Sequence, residues 1–208
     1  MDLEFLRETV FRVLAVLLCL TVHETCHGLA ALALGDPTAR SMHRLSLNPL
    51  RHIDWLGLAM MLVAGFGWAK PVPVDPRYFR KPKQGMAVTA LAGPVSNLVL
   101  AFLALAAGWA IAEVVPFGTI ANGVFEFCVF TLAPLSIGLG LFNLLPIPPL
   151  DGAKVLGALL PDRTYFRLMQ YERYGMVVLL ALSYLGVTSR LINGAIMWVY
   201  MTMFYLFF

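Results

Sequence analysis

Uncharged apolar runs alternate with short charged stretches along this chain, and the runs are too long for the strands or helices of a soluble core. The first extends from about Val10 to Leu34, enough helix to cross ~30 Å of hydrocarbon. Gly35-Asp36-Pro37 ends it, because glycine suits a helix C-cap and proline cannot continue a helix. Met86 to Ala112 and Phe127 to Leu150 are two further charge-free runs and predict two more spans, the latter broken at Pro146, Pro148 and Pro149. Trp55 to Ala69 is uncharged too, but its 15 residues reach only ~22 Å as a helix, so it predicts a re-entrant or interfacial element. Tyr174–Ser189 and Leu191–Phe208 predict a helical hairpin with its aromatic-rich end near an interface. Between the first two main spans, the alternating prolines of Lys70-Pro71-Val72-Pro73-Val74-Asp75-Pro76 force an extended chain, either a short β-like element able to offer an edge to a peptide or a stiff surface linker.

The expected architecture is an all-α polytopic membrane protein of about five to six transmembrane or re-entrant segments. Residues 1–208 are expected to form one domain, with a core over about 10–160 and the C-terminal hairpin over about 174–208. Composition agrees: 60% of residues are hydrophobic and 13% charged, outside the range of soluble domains. The small positive net charge does not point to nucleic acid, because twelve of the fifteen Lys and Arg fall in segments 36–54, 68–84 and 152–173, between apolar runs. By the positive-inside rule these three face the cytoplasm and the N-terminus starts outside, in a multi-pass protein of the plasma membrane. The N-terminal run exceeds a signal-peptide core. Cys19, Cys26 and Cys128 make no C-x-x-C pair and read as small apolar-run residues, with no disulfide framework.

One turn inside the first run breaks the apolar pattern. From Val13 to Gly35 the only ionisable groups besides the two cysteines are His23, Glu24 and His27, a His-Glu-x-x-His motif. Residues four apart share a helix face, so the two imidazoles can meet one metal ion. Glu24 lies about 100° round the helix, placed to act on a water beside the metal without being a ligand. Charge at membrane depth costs at least ~2.5–3.5 kcal/mol per residue on insertion scales, which makes such a turn functional by default. A catalytic zinc needs a third ligand and an open position. Asp151 follows the proline-broken end of the third span, at the expected cytoplasmic end, and is the best candidate; Cys26 is a poorer one, since a thiolate would close the site. For the two halves to meet, Trp55–Ala69 must not cross the membrane. Asn97, a polar group at membrane depth, either bonds a neighbouring helix or lines the site. His52 and Asp54 read as part of a structured interfacial loop.

With His23-Glu24-Thr25-Cys26-His27 and Leu150-Asp151-Gly152 in place, the chain resembles the site-2 protease family of intramembrane zinc metallopeptidases. Leu34-Gly35-Asp36-Pro37, Ser46-Leu47-Asn48-Pro49, Phe66-Gly67-Trp68-Ala69-Lys70-Pro71-Val72-Pro73-Val74 and Ala92-Gly93-Pro94-Val95-Ser96-Asn97 resemble its short prokaryotic members, which have no PDZ domain. The resemblance covers about residues 10–175. It implies one Zn²⁺ per chain held by His23, His27 and Asp151, with Glu24 as base and proton shuttle. It also implies Asn143 as the stabiliser of the oxyanion or the water, with Asn97 second in line for that role. The substrate it implies is a transmembrane helix of another membrane protein, cleaved within the lipid bilayer. Thr25 and Cys26 depart from the bulky apolar pair often found inside the motif. The alternatives are a zinc-binding membrane protein without catalysis, against which the intact Glu24 argues, and a metal-ion transporter, whose ligands would be spread through the membrane depth.

Overall fold

The computed structural model describes residues 3–57, 60, 69–116 and 118–208. The re-entrant or interfacial segment expected at Trp55–Ala69 lies mostly outside the described residues. Its two ends do not: Ile53 and Ala69 form an antiparallel bridge, and the Lys70 N–H donates to the His52 carbonyl at 2.9 Å.

Helix α1 runs from Leu3 to Ala33 without an interior proline. It closes in a Schellman motif: Asp36 N–H reaches Ala31 O at 2.9 Å and Gly35 N–H reaches Leu32 O at 3.0 Å. Gly35 sits at φ +104°, a conformation that a Cβ would disfavour. A short helix, α2 (Thr38–Ser41), follows, with single 3-10 turns at Pro49–Arg51 and Pro76–Tyr78, and then the long α3 (Pro82–Val114), which opens on proline at its first position. The next rod is continuous from Thr119 to Asn143 but changes pitch inside: α4 (Thr119–Glu126), a π-helical stretch Phe127–Leu132, then α5 (Ala133–Asn143). Pro134 explains the change, because its ring and missing N–H cannot be fitted under an ordinary α turn. Helices α6 (Asp151–Leu159), α7 (Asp162–Gln170), α8 (Glu172–Tyr184) and α9 (Val187–Phe204) complete the chain.

Several boundaries differ from expectation. The third apolar rod starts eight residues early, at Thr119, and ends at Asn143 because Pro146 disfavours helix in the residue before it. The C-terminal pair is not a hairpin: α8 and α9 bend by 77° at Leu185-Gly186, where Gly186 takes φ +67°. Among the described residues there is no strand between the first two long helices, only the Ile53–Ala69 bridge. By length and composition α3 and the Thr119–Asn143 rod can each cross a membrane, and the bent pair makes a third if it is one span. Among the described residues that makes two to three candidate spans, and the expected five to six transmembrane or re-entrant segments are not established by them.

Small residues let these helices approach. Ala15 and Cys19 of α1, Ala101 and Leu105 of α3, and Val129, Ala133 and Ile137 of the rod are buried together. A Cβ at Gly108 would run into Val129, so only glycine permits that crossing. Outward, α3 exposes Val88, Leu91, Val95, Val99, Leu103 and Trp109. An apolar face of that length fits hydrocarbon rather than water and places the protein in a membrane.

Candidate metal centre

The one turn of α1 that breaks the apolar pattern faces α3 and α6. His23 and His27 stand with ring centroids 4.5 Å apart and planes at 87°, so their Nε2 atoms converge. Asp151 Oδ2 lies 3.2 Å from each Nε2. All three residues are buried, and one donor atom from each falls within a 4.8 Å cluster. Asp151 arrives through the turn after Asn143: the three prolines end α5, and the chain folds back on itself before α6 begins at Asp151. The following glycine is required, since a Cβ at 152 would collide with the Leu144 and Leu145 carbonyls.

Two imidazole nitrogens and one carboxylate oxygen are the donor set of a catalytic zinc with one open position. The surroundings fit that ion. A Cβ on Gly93 would lie 2.5 Å from His27 Nε2 and 2.6 Å from His23 Nε2, so glycine keeps the space in front of both nitrogens clear. His27 Nδ1 donates to the Thr89 carbonyl at 2.7 Å, which leaves its Nε2 lone pair facing the site. Asn97, fully buried, meets His23 Nδ1 at 3.2 Å. Lys154 Nζ approaches the other Asp151 oxygen, Oδ1, at 3.6 Å. Cys26 is not in the cluster.

Glu24 turns toward a different neighbour. Its Oε2 accepts the backbone N–H of Val72 at 2.9 Å. Asn143 Nδ2 donates to Leu139 O of its own helix at 3.0 Å. The structure thus brings His23, His27 and Asp151 together and puts Asn97, rather than Asn143, in hydrogen-bond contact with the cluster. His52 and Asp54 form no second centre: His52 Nε2 donates to Ser46 O at 2.7 Å, and Asp54 Oδ1 caps Leu56 and Gly57 N–H, both at 3.0 Å.

The Pro-rich stretch after Ala69 is a strap tied down on both sides of Glu24. Arg44 donates to the Lys70 and Pro71 carbonyls at 2.9 and 3.2 Å, and Asp75 N–H donates to Asp36 Oδ2 at 2.7 Å. Asp36 is completely buried and also accepts from the Thr38 N–H and hydroxyl. The sequence shows Asp36 only as part of a helix stop; an acidic residue between Gly and Pro, followed two residues on by Thr, is the one signal that pointed to a cap. Thr25, a departure from the apolar pair inside the motif, has a structural part as well. Its hydroxyl donates to Ser46 O at 3.0 Å and joins the motif turn to the loop. Asp36→Ala strands three donors and is expected to lower stability by about 3 kcal/mol. Thermal unfolding in detergent measures that loss, and faster proteolysis between residues 70 and 76 would localise it.

The peptidase family M50 model matches residues 110–185, which include Asp151. YwhC of Bacillus subtilis, by name a candidate zinc metalloprotease, is 40% identical over 177 residues, spanning 83% of this chain and 79% of that protein. Rip2 of Mycobacterium tuberculosis, named likewise, is 32% identical over 190 residues, 88% of this chain and 70% of its own length. Rip2 of Mycolicibacterium smegmatis is 29% identical over 187 residues, with 88% and 70% covered. No solved structure matches the chain. A relative 40% identical across four-fifths of both chains shows the relationship outright: this chain belongs to peptidase family M50, the site-2 protease family of membrane zinc metalloproteases.

Proposed function

We propose that the chain is an intramembrane endopeptidase that cleaves transmembrane segments of other membrane proteins, with one Zn²⁺ held by His23, His27 and Asp151. The observation that carries this reading is the buried donor triad beside Glu24, set in a bundle whose outer face is apolar. When bound, zinc supplies Lewis-acid polarisation of a peptide carbonyl and makes a water nucleophilic near neutral pH. The protein does the rest. Glu24 is fixed through Oε2 by the Val72 N–H, leaving Oε1 to take the proton of the attacking water and hand it to the leaving amine. Asp151 is held from its far oxygen by Lys154, so its near oxygen stays on the two histidines. Asn143 and Asn97 are the amides available to the developing oxyanion; of the two, only Asn97 touches the cluster.

A helical substrate carbonyl is hydrogen bonded and shielded, so it must unwind before attack. The strap beside Glu24 offers the means: the carbonyls of Val72 and Pro73 have no partner among the described residues and can pair with an extended substrate. A groove of about 1310 Å³ between α1, the rod and the bent C-terminal pair, lined by Phe11, Leu17, Leu20, Leu135, Leu180 and Ile196, can lodge the helical part. The basic segments gather at the end where Asp151 lies: Arg44 reaches the strap and Lys83 reaches Leu160 and Asp162. That end is the cytoplasmic one under the positive-inside rule, and water enters from it.

The detergent-purified protein is expected to carry one zinc per chain, with little or none in His23→Ala and Asp151→Ala. Chelation should stop cleavage of a transmembrane reporter in proteoliposomes, and zinc should restore it. Full zinc content in Asp151→Ala would remove that residue from the site. No zinc in the wild type after metal loading, with no cleavage of any reporter, would refute the assignment.

A further inference from the structure

The two histidines are held by different kinds of partner, and only one of those partners fixes the ring's protonation. Thr89 O can only accept, so His27 carries its proton on Nδ1 and turns a lone pair at Nε2 to the site. His23 Nδ1 faces an amide, which can donate or accept. In the structure the Asn97 NH₂ points at His23 Nδ1 at 3.2 Å, and its Oδ1 is buried without a partner among the described residues. In that arrangement His23 carries its proton on Nε2, donating to Asp151 Oδ2 at 3.2 Å, with no lone pair left for a metal. Turning the amide over exchanges two atoms of the same shape and reverses the pairing.

We propose that Asn97 is a positioning residue that sets the metal-binding tautomer of His23. Its Oδ1 accepts from Nδ1–H, so that Nε2 presents its lone pair to the metal site. This rests on the zinc reading above. The side chain is well placed to discriminate, since its backbone is pinned. Ser136 Oγ of the rod donates to Asn97 O at 2.8 Å, and Gly140 packs close by, where an added Cβ would lie 3.0 Å from Pro94 O and 3.4 Å from Asn97 Cβ. Residue 97 is fully buried.

The test is zinc affinity of the full chain in detergent, measured by competition with a chelator of known affinity. Asn97→Leu keeps the volume and removes the acceptor, and is expected to bind zinc about 10–100-fold more weakly. Asn97→Asp can only accept, and is expected to bind within a few-fold of the wild type. Wild-type affinity in the leucine variant would overturn the proposal, as would an aspartate variant as weak as the leucine one. Should Asn97→Asp not fold, the cobalt-substituted wild type decides. Two slowly exchanging, hyperfine-shifted imidazole N–H protons are expected, one for His27 against Thr89 and one for His23 against Asn97. Only the first surviving in Asn97→Leu supports the role; a single such proton in the wild type contradicts it. A wild type that binds no metal would instead sink the zinc reading, and this inference with it.

Discussion

Replacing Glu24 by glutamine is expected to leave zinc content and melting temperature unchanged while cleavage falls by about 10²–10⁴-fold, the usual worth of a general base. Both halves of the expectation follow from where the side chain lies. Glu24 contributes no atom to the His23–His27–Asp151 cluster, so the donor set survives intact. Its Oε2 holds the Val72 N–H at 2.9 Å, and the glutamine carbonyl can accept the same hydrogen bond, so the strap keeps its seat. What glutamine cannot do is take a proton. Glu24→Ala is the poorer variant, because it also strands the Val72 N–H, and a loss of activity there would mix chemistry with the position of the strap. The measurement pairs metal analysis and thermal unfolding with a single-turnover cleavage assay on purified protein. Cleavage by Glu24→Gln at the wild-type rate would mean that another group takes the proton.

The motif turn was legible in the sequence because its chemistry is local. His23 and His27 face one way by helical spacing alone, and a run free of other charges leaves them no surface to explain their presence. Asp151 was legible only beside that motif: three prolines announce the end of a helix, and the acidic residue directly after them reads as a third ligand once two imidazoles call for one, and otherwise as a plain helix-terminal turn. The long apolar runs gave the main helices but misjudged their ends. Neither the π-helical stretch before Pro134 nor the 77° bend at Gly186 leaves a mark on hydropathy. The asparagines show where one-dimensional reading stops. Asn143 and Asn97 are equally polar and equally out of place in apolar runs. Only the packing of α3 on α1 shows that the second meets His23 while the first turns back onto Leu139. The strap was read as extended from its prolines, yet its anchor at Asp36 lies 39 residues away in sequence, beyond any local pattern.

The same packing makes Gly93 the position where the smallest change should do the most harm. Gly93→Ala adds one methyl group, and its carbon would sit 2.5 Å from His27 Cε1 and Nε2 and 2.6 Å from His23 Nε2, where ordinary contact begins near 3.4 Å. Helix α3 has little room to retreat. The next residue is buried Pro94, whose carbonyl would lie 3.0 Å from a Cβ on Gly140, and Asn97 one turn on is bonded to Ser136 of the rod. The imidazoles must therefore move, and His27 cannot do so without losing the Thr89 carbonyl that fixes its ring. A shift of about 1 Å in a preorganised site costs on the order of 10²-fold. Zinc affinity and cleavage are both expected to fall by at least that much, with overpacking lowering stability by about 1–3 kcal/mol. Gly194→Ala is the matched control: it lies within α9, nothing stands within 4 Å of the added carbon, and a glycine-to-alanine change in a helix gains up to about 1 kcal/mol. Chelator competition on the two variants reads the difference directly. If Gly93→Ala holds zinc as tightly as Gly194→Ala, the metal does not sit between α1 and α3, and the centre must be sought elsewhere along the motif helix.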